Sequence, residues 1–339
     1  MTPLGPAGIV AIAPGWLGDA VMAIPALRAL ESSASLTVLA HARVAPLLDL
    51  AFPGRVVRFA PRAVSLSAMR QSRSLPPDGA AMAVIFPRSF SSALRAVFIG
   101  ARVRVGVASE ARGVLLTRSI RLPWPERSRH LADEYALLAE AAGAGTPRAF
   151  PHLAISPEAR AAAWRLLESR AVANGTPLAI VAPGAAFGSA KQWFSARFAS
   201  LCAAIDAAGA RAVLVGAASE KPVASRVARE AERLGARAPL DLTGQTDIGA
   251  LCGVLSIARV VAANDSGPMH LAAAVGTPVV ALFGSTNPDW TRPLGEGHDV
   301  LRYPTPCAPC YRRVCPIGRI CFDGIDVERV RRAVIARLQ

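Results

Sequence analysis

The chemistry of this chain of 339 residues gathers in four short stretches. In A-P-G-W-L-G-D (13–19), Gly15 and Gly18 allow a tight turn after an apolar run, and Asp19 opens a helix. A carboxylate there can cap the helix by accepting backbone N–H bonds. It equally suits a general base that takes a proton from a substrate hydroxyl, if an electrophile is presented opposite. In N-D-S-G-P-M-H (264–270), Asp265, Ser266 and Gly267 form a turn directly before a second helix. Free amides and the helix dipole make such a point an anion site, and Pro268 suits the first helical position. A diphosphate can lie across Ser266, Gly267 and Met269, with His270 one turn in. An ordinary capped helix is the plain alternative.

The third stretch is P-G-A-A-F-G-S-A-K-Q-W-F (183–194). Gly184 and Gly188 are expected to let the backbone approach a ligand closely. Lys191 can neutralise a phosphate as a point charge, and it is one of only two lysines, with Lys221. G-A-A-S-E-K-P (216–222) adds Glu220, at a position where nucleotide folds hold ribose hydroxyls. The fourth is Cys307, Cys310, Cys315 and Cys321, spaced C-x2-C-x4-C-x5-C. That spacing suits zinc or an iron–sulfur cluster, or a packed tail of reduced thiols. Cys202 and Cys252 lie in apolar helical patterns and read as buried thiols. There is no G-x-x-x-x-G-K-[ST] and no G-x-G-x-x-G after the first strand, which disfavours a P-loop ATPase and a standard dinucleotide site.

These stretches need strands and helices to hold them. Strand-like runs at 8–13, 36–40, 56–59, 82–86 and 103–107 alternate with helical patterns at 20–31 and 91–99. Pro61 and the run Pro76-Pro77-Asp78-Gly79 punctuate loops. The chain breaks inside 145–177, which gives two domains, 1–155 and 156–339. The second half repeats the alternation: strands at 178–182, 212–216, 260–264 and 279–283, helices at 157–170, 195–208, 220–234, 247–257 and 268–275. Strands alternating with helices predict parallel sheets, so two doubly wound α/β units are expected, with a cleft between them. Ligands in such sheets sit outside the carboxyl ends of the strands.

Composition narrows the classes. Hydrophobic residues make up 52% and charged residues 18%, which excludes intrinsic disorder. No window of about 18 apolar residues offers a membrane span, and no basic segment precedes the first apolar run, so a cytosolic chain without a signal peptide is expected. The net charge is +14. Residues 55–129 alone carry +11, all their basic residues being arginine. This points to an anionic partner. A nucleic acid is disfavoured, because the block lacks the interleaved aromatics of a stacking platform.

Taken in order, G-W-L-G-D-A-V-M-A-I-P-A-L (15–27), I-F-P-R-S-F-S-S-A-L (85–94), P-G-A-A-F-G-S-A-K-Q-W (183–193), N-D-S-G-P-M-H-L-A-A-A (264–274), F-G-S-T-N-P-D-W-T-R-P-L (283–294) and the cysteine-rich tail resemble the ADP-heptose:lipopolysaccharide heptosyltransferases, closest to the heptosyltransferase II branch. The likeness covers nearly the whole chain. It implies a GT-B fold, two Rossmann-like domains facing across a cleft, with the final helix packing back toward the first. It implies an inverting transfer of heptose from ADP-heptose to the anionic, phosphorylated inner core of lipid A. The enzyme would work at the cytoplasmic surface of the inner membrane. Carried over by motif, Asp19 is the catalytic base and Lys191 the diphosphate contact. Gly184, Glu220, Thr246, Asp265, Ser266, Gly267, Met269 and His270 hold the donor. Gly18, Arg88 and Arg112 face the acceptor. The family's chemistry implies no metal and no cofactor beyond the donor. Arg88 and Pro268 depart from the family, which often shows a neutral polar residue and a leucine there. The alternatives are a related heptosyltransferase with a different core acceptor, or a sugar-nucleotide epimerase of the same fold, which would need more acid and base residues than Asp19 and His270.

Overall fold

The computed structural model describes residues 8–59, 80–109, 111–147 and 149–339. The loops expected at Pro61 and Pro76–Gly79, and Arg62, Arg70 and Arg73 of the basic block, lie outside them. The chain forms two compact units, Met1–Pro151 and His152–Gln339.

The first unit holds strands β1 (Ile9–Ile12), β2 (Leu36–His41), β3 (Val56–Phe59), β4 (Met82–Ile85), β5 (Val103–Val107) and β6 (Arg118–Ile120). Their helices are α1 (Leu17–Ser33), α2 (Ala45–Ala51), α3 (Phe90–Phe98) and α4 (Leu131–Ala141). The second holds β7 (Leu178–Ala182), β8 (Arg211–Leu214), β9 (Leu240–Asp241), β10 (Val260–Asn264), β11 (Val279–Phe283) and β12 (Asp299–Arg302). Between and after them run α5 (Pro157–Glu168), α6 (Ser195–Ala207), α7 (Lys221–Arg233), α8 (Ile248–Ser256), α9 (Gly267–Ala274), α10 (Pro288–Thr291), α11 (Ile320–Asp323) and α12 (Val327–Ile335).

Among the described residues, each unit has one six-stranded sheet, ordered β3-β2-β1-β4-β5-β6 and β12-β11-β10-β7-β8-β9. Every pairing is parallel, with β1 set between Leu36 and Met82 at Ile9, and β10 beside β7 at Val260–Ala179. Both are the doubly wound order, and the strand direction of travel reverses between β1 and β4 and between β7 and β10. A crevice opens at such a reversal, beyond the carboxyl ends of the strands.

The sequence makes these central strands because parallel sheets covered on both faces need unbroken apolar runs. Ile9–Ile12, Leu178–Ala182, Val260–Asn264 and Val279–Phe283 are buried at every position. The covering helices are one-sided: α7 buries Ala224, Val227 and Ala231 and exposes its charges. Ser156 caps α5 with Pro157 at its first position, and Asp247 caps α8. The final helix, α12, packs on α6, its Val330 and Val334 joining Trp193, Phe198 and Phe322 in the second unit's core.

Candidate active site

In the second unit, the β7 and β10 ends carry a buried ionic network. Asp265 directly follows β10 and is 5% exposed. Its Oδ2 accepts from Lys191 Nζ at 2.6 Å, Thr286 Oγ1 at 2.7 Å and Thr291 Oγ1 at 3.3 Å. Its Oδ1 lies 4.0 Å from Nε2 of the buried His270. A buried carboxylate is tolerated because it is both ion-paired and hydrogen-bonded. Lys191 arrives from the Ser189–Lys191 turn, its ammonium 5.2 Å from the Phe187 ring centre. Ser266 stands at the N-cap of α9 in extended backbone, but its side chain makes no cap, and Oγ is buried without a partner. Gly267 and Met269 are the first and third helical residues, whose amides have no partner inside the helix. The Met269 side chain is fully buried, so only its amide faces the turn.

Asn264 joins the loops. It is fully buried; Nδ2 donates to the Pro183 carbonyl at 2.9 Å and to Gly184 at 3.2 Å, and Oδ1 accepts from the Trp193 amide at 2.9 Å. Glu220 sits beside that frame, accepting from the Ala217 amide at 2.7 Å. Burial raises its carboxyl above the ordinary value, with the Ala217 bond opposing. A Cβ on Gly184 would fall 2.2 Å from Glu220 Oε1, and one on Gly216 2.8 Å from Oε2. Gly244, at φ +73°, lies against Ala218, which brings the loop carrying Thr246 alongside.

These contacts correct the expectation for the two loop glycines. The space beside Gly184 is filled by the Glu220 carboxylate. At Gly188, φ +152°, a Cβ would meet the Arg313 carbonyl oxygen at 2.3 Å. Both glycines make room for the protein itself.

In the first unit, Asp19 is the third residue of α1. The N-cap is Trp16, without a side-chain cap bond, so the capping position expected for Asp19 belongs to another residue. Its carboxylate instead sits in the first turn, where the helix dipole favours negative charge. Gly18 precedes it, half-buried like Asp19 itself. Helix α4 packs on α1 and brings Tyr135 into the field of Asp19. Burial, with the Asp19 and Glu134 charges adding, pushes the Tyr135 phenol well above its ordinary range. Arg88, in the loop after β4, forks onto Glu134: Nε donates at 2.8 Å to Oε1 and Nη2 pairs with Oε2. Nη1 reaches Glu126 at 3.1 Å.

Arg112 is the clear correction. It is 0% exposed, which removes it from any acceptor surface. Its Nε and Nη2 donate to the Val107 carbonyl at 2.8 and 2.6 Å, and Nη1 donates to the Pro87 carbonyl and to Ser92 Oγ. Five donors on one planar group let it satisfy carbonyls that end β5 and the loop after β4. It holds the loop that carries Arg88.

Thr286, Thr291, Asn264, Glu134 and Tyr135 are the parts that residue types alone did not single out. Thr286 and Thr291 stand in the 283–294 stretch already noted, and Asn264 immediately precedes Asp265. Glu134 and Tyr135 stand in a helix that the sequence pattern does not mark. In the tail, the thiols are unpaired: Cys307 exposed, Cys310 and Cys315 half-buried, Cys321 buried. Burial, then the neighbouring three cysteines, raise the Cys321 thiol above its ordinary value. Cys202 and Cys252 are buried as expected, their thiols pushed up to about 12 by burial.

Comparison with known proteins places this geometry. The family model described as glycosyltransferase family 9 (heptosyltransferase) matches residues 69–321. Lipopolysaccharide heptosyltransferase 2 of Escherichia coli K12 is 29% identical over 311 residues, 87% of each chain. The lipooligosaccharide heptosyltransferase 2 of Haemophilus influenzae is 30% identical over 65% of each chain. The solved structure of the Escherichia coli ADP-heptose heptosyltransferase II superposes with a TM-score of 0.80 at 25% identity, covering 98% of both chains. The fold is therefore GT-B, and the chain is a glycosyltransferase that belongs to glycosyltransferase family 9, the heptosyltransferases.

Proposed function

We propose that the chain transfers L-glycero-D-manno-heptose from ADP-heptose to the phosphorylated inner core of lipopolysaccharide, in the manner of heptosyltransferase II, with inversion at the anomeric carbon. The observation that carries this reading is the charged frame at the start of α9, where Lys191 is held by Asp265 at 2.6 Å. An ammonium has three donors; one goes to Asp265, and two are left for the oxygens of a diphosphate. The amides of Ser266, Gly267 and Met269 add the helix dipole. Glu220 accepts from the ribose hydroxyls, with Thr246 bordering the nucleoside and Gly184 making room for the Glu220 carboxylate. His270 supports Asp265 from behind.

Asp19 removes the proton from an acceptor hydroxyl as that oxygen attacks the anomeric carbon, and ADP leaves from the opposite face. Charge growing on the β-phosphate is met by Lys191 and the helix start, donors fixed before the reaction begins. These take the place of a divalent cation, so the reaction needs no metal. Gly18 and Arg88 border the acceptor, Arg88 keeping its charge while Glu134 and Glu126 fix its direction. No helix among the described residues is long and apolar enough to cross a membrane. The arginine block draws the enzyme to the anionic cytoplasmic face of the inner membrane.

The test is incubation with ADP-heptose and truncated core acceptors, with and without a chelator. Acceptor-dependent ADP release, chelator-resistant and giving the inverted linkage, is expected. Retention of configuration, or conversion of the donor without an acceptor, overturns the reading.

A further inference from the structure

Helix α3 is built with an apolar face on each side. Ala93 and Ala96 are buried in the first unit's core, followed by Ile99, with Ser92 buried beside them and donating to the Pro87 and Ser89 carbonyls. The opposite stripe is Phe90, Leu94, Val97 and Phe98, the i, i+4, i+7, i+8 spacing of one helix face. Phe90 is 45% exposed and Val97 37%, with Leu94 and Phe98 half-buried. Beside it, the turn Arg112–Leu115 packs on α3 and presents Val114 at 85% exposure. A solvated helix face normally carries charge; this one has none.

Its border is cationic. Arg95, on α3, stacks over the Phe59 ring at 3.9 Å. Arg104 donates to Ala101 O at 2.8 Å and Leu115 O at 2.6 Å, which sets its guanidinium between the end of α3 and the turn bearing Val114. Arg102 is exposed just past the helix. From 90 to 118 the chain has five arginines and a single acidic residue, Glu110, which lies outside the described residues.

We propose that this face, Phe90, Leu94, Val97, Phe98 and Val114, inserts shallowly into an anionic phospholipid bilayer while the arginine border binds the headgroups. The inference rests on the reading that the acceptor is lipid-anchored, and it names the surface that meets the membrane. Neither half holds firmly alone: headgroup attraction is screened by salt, and a small apolar patch is a weak anchor. Together they form a two-part anchor. A second copy of the chain is the other occupant an apolar face can take. Pairing two copies through it would press two arginine borders of one sign together.

The experiment uses the full chain with vesicles of phosphatidylethanolamine containing about a quarter phosphatidylglycerol, against vesicles of phosphatidylcholine alone. The Val97→Glu/Val114→Glu variant touches only exposed positions and is expected to melt like the parent. Its affinity for the anionic vesicles should fall at least about tenfold, the effect of burying two charges at the interface. Heptosyl transfer to a deacylated, soluble acceptor should be unchanged. Val114→Trp should gain fluorescence quenched by lipids brominated on the acyl chain. Some of its binding should persist at about 1 M salt, where the screening length is roughly 3 Å. Vesicle binding untouched by the double variant, absence of acyl-chain quenching, or a dimer that the double variant dissolves each overturn the proposal. Failure of the functional reading looks different: acyl-chain quenching persists while the parent transfers no heptose to any acceptor.

Discussion

Removing the Lys191 charge should damage the fold of the second unit before any substrate is considered. Lys191→Met keeps the length and deletes the ammonium. The Asp265 carboxylate, 5% exposed, then keeps the hydroxyls of Thr286 and Thr291 on Oδ2 and the His270 ring 4.0 Å from Oδ1. Breaking a buried ion pair from one side costs about 3–5 kcal/mol. Two hydroxyl donors remain on Oδ2, which points to the lower end, about 3 kcal/mol, or roughly 6–12 °C in melting temperature for a unit of this size. Asp265→Asn is milder, about 1–2 kcal/mol, because the Lys191 side chain is 15% exposed and its ammonium can turn to water. The double variant Lys191→Met/Asp265→Asn removes both charges. It should recover at least about 2 kcal/mol relative to the sum of the singles, the signature of direct coupling. Calorimetric melts of the four proteins give the cycle, and ADP titration runs alongside. The double variant should be stable yet bind ADP poorly, which separates the structural role of Lys191 from the phosphate-binding role proposed for it. Additive singles, or Lys191→Met within about 0.5 kcal/mol of the parent, would refute a buried pair at this site.

Asp19→Asn should lose at least about a hundredfold in transfer rate. Its stability should drop by no more than about 1 kcal/mol, the dipole term of the first turn, and ADP binding should be intact; near-normal turnover would leave the mechanism without its base. Gly184→Ala should displace the Glu220 carboxylate, raising KM for the donor more than it lowers kcat; an unchanged KM would separate Glu220 from the donor. The sign for Glu220 follows from burial: its folded carboxyl titrates above the ordinary 4.5, so ionising it costs stability. That cost is absent below 4.5 and grows as pH rises through the raised value. Glu220→Gln keeps an acceptor for the Ala217 amide, and its stability should gain on the parent over that window; parallel pH–stability curves would contradict the burial.

The parts legible in the sequence are those with a one-dimensional signature. The central strands are unbroken apolar runs, so 178–182, 260–264 and 279–283 match β7, β10 and β11 residue for residue. Turn residues after β1, β7 and β10 drew the reading to Asp19, Lys191 and Asp265, and the structure joins Lys191 and Asp265 in one buried pair. Elements lacking such a run were missed. β9 has two residues, β6 is three mostly exposed ones, and β12 begins on Asp299. Helix α4 carries Glu134 and Tyr135 yet leaves no clear pattern between its polar flanks. Pairings across long separations had no signal at all. Nothing in the sequence says that Glu220 fills the space beside Gly184, or that Arg112 turns inward. An arginine block reads as a charged surface until backbone carbonyls are found to occupy one of its members.

Asn264 has a consequence for altering this enzyme. One amide side chain hangs the 183–184 turn and the 193 backbone from the end of β10, so the two ends of the loop that carries Lys191 are held as a single casting. Glu220 and the loop of Thr246 lie outside that casting, resting on glycine-sized gaps. If the donor lies as proposed, residues 217–220 and 243–246 can therefore be remodelled for a different nucleoside while the Lys191–Asp265 pair stays in place. Changes at Asn264 itself would release the 183–184 turn and the 193 backbone at once.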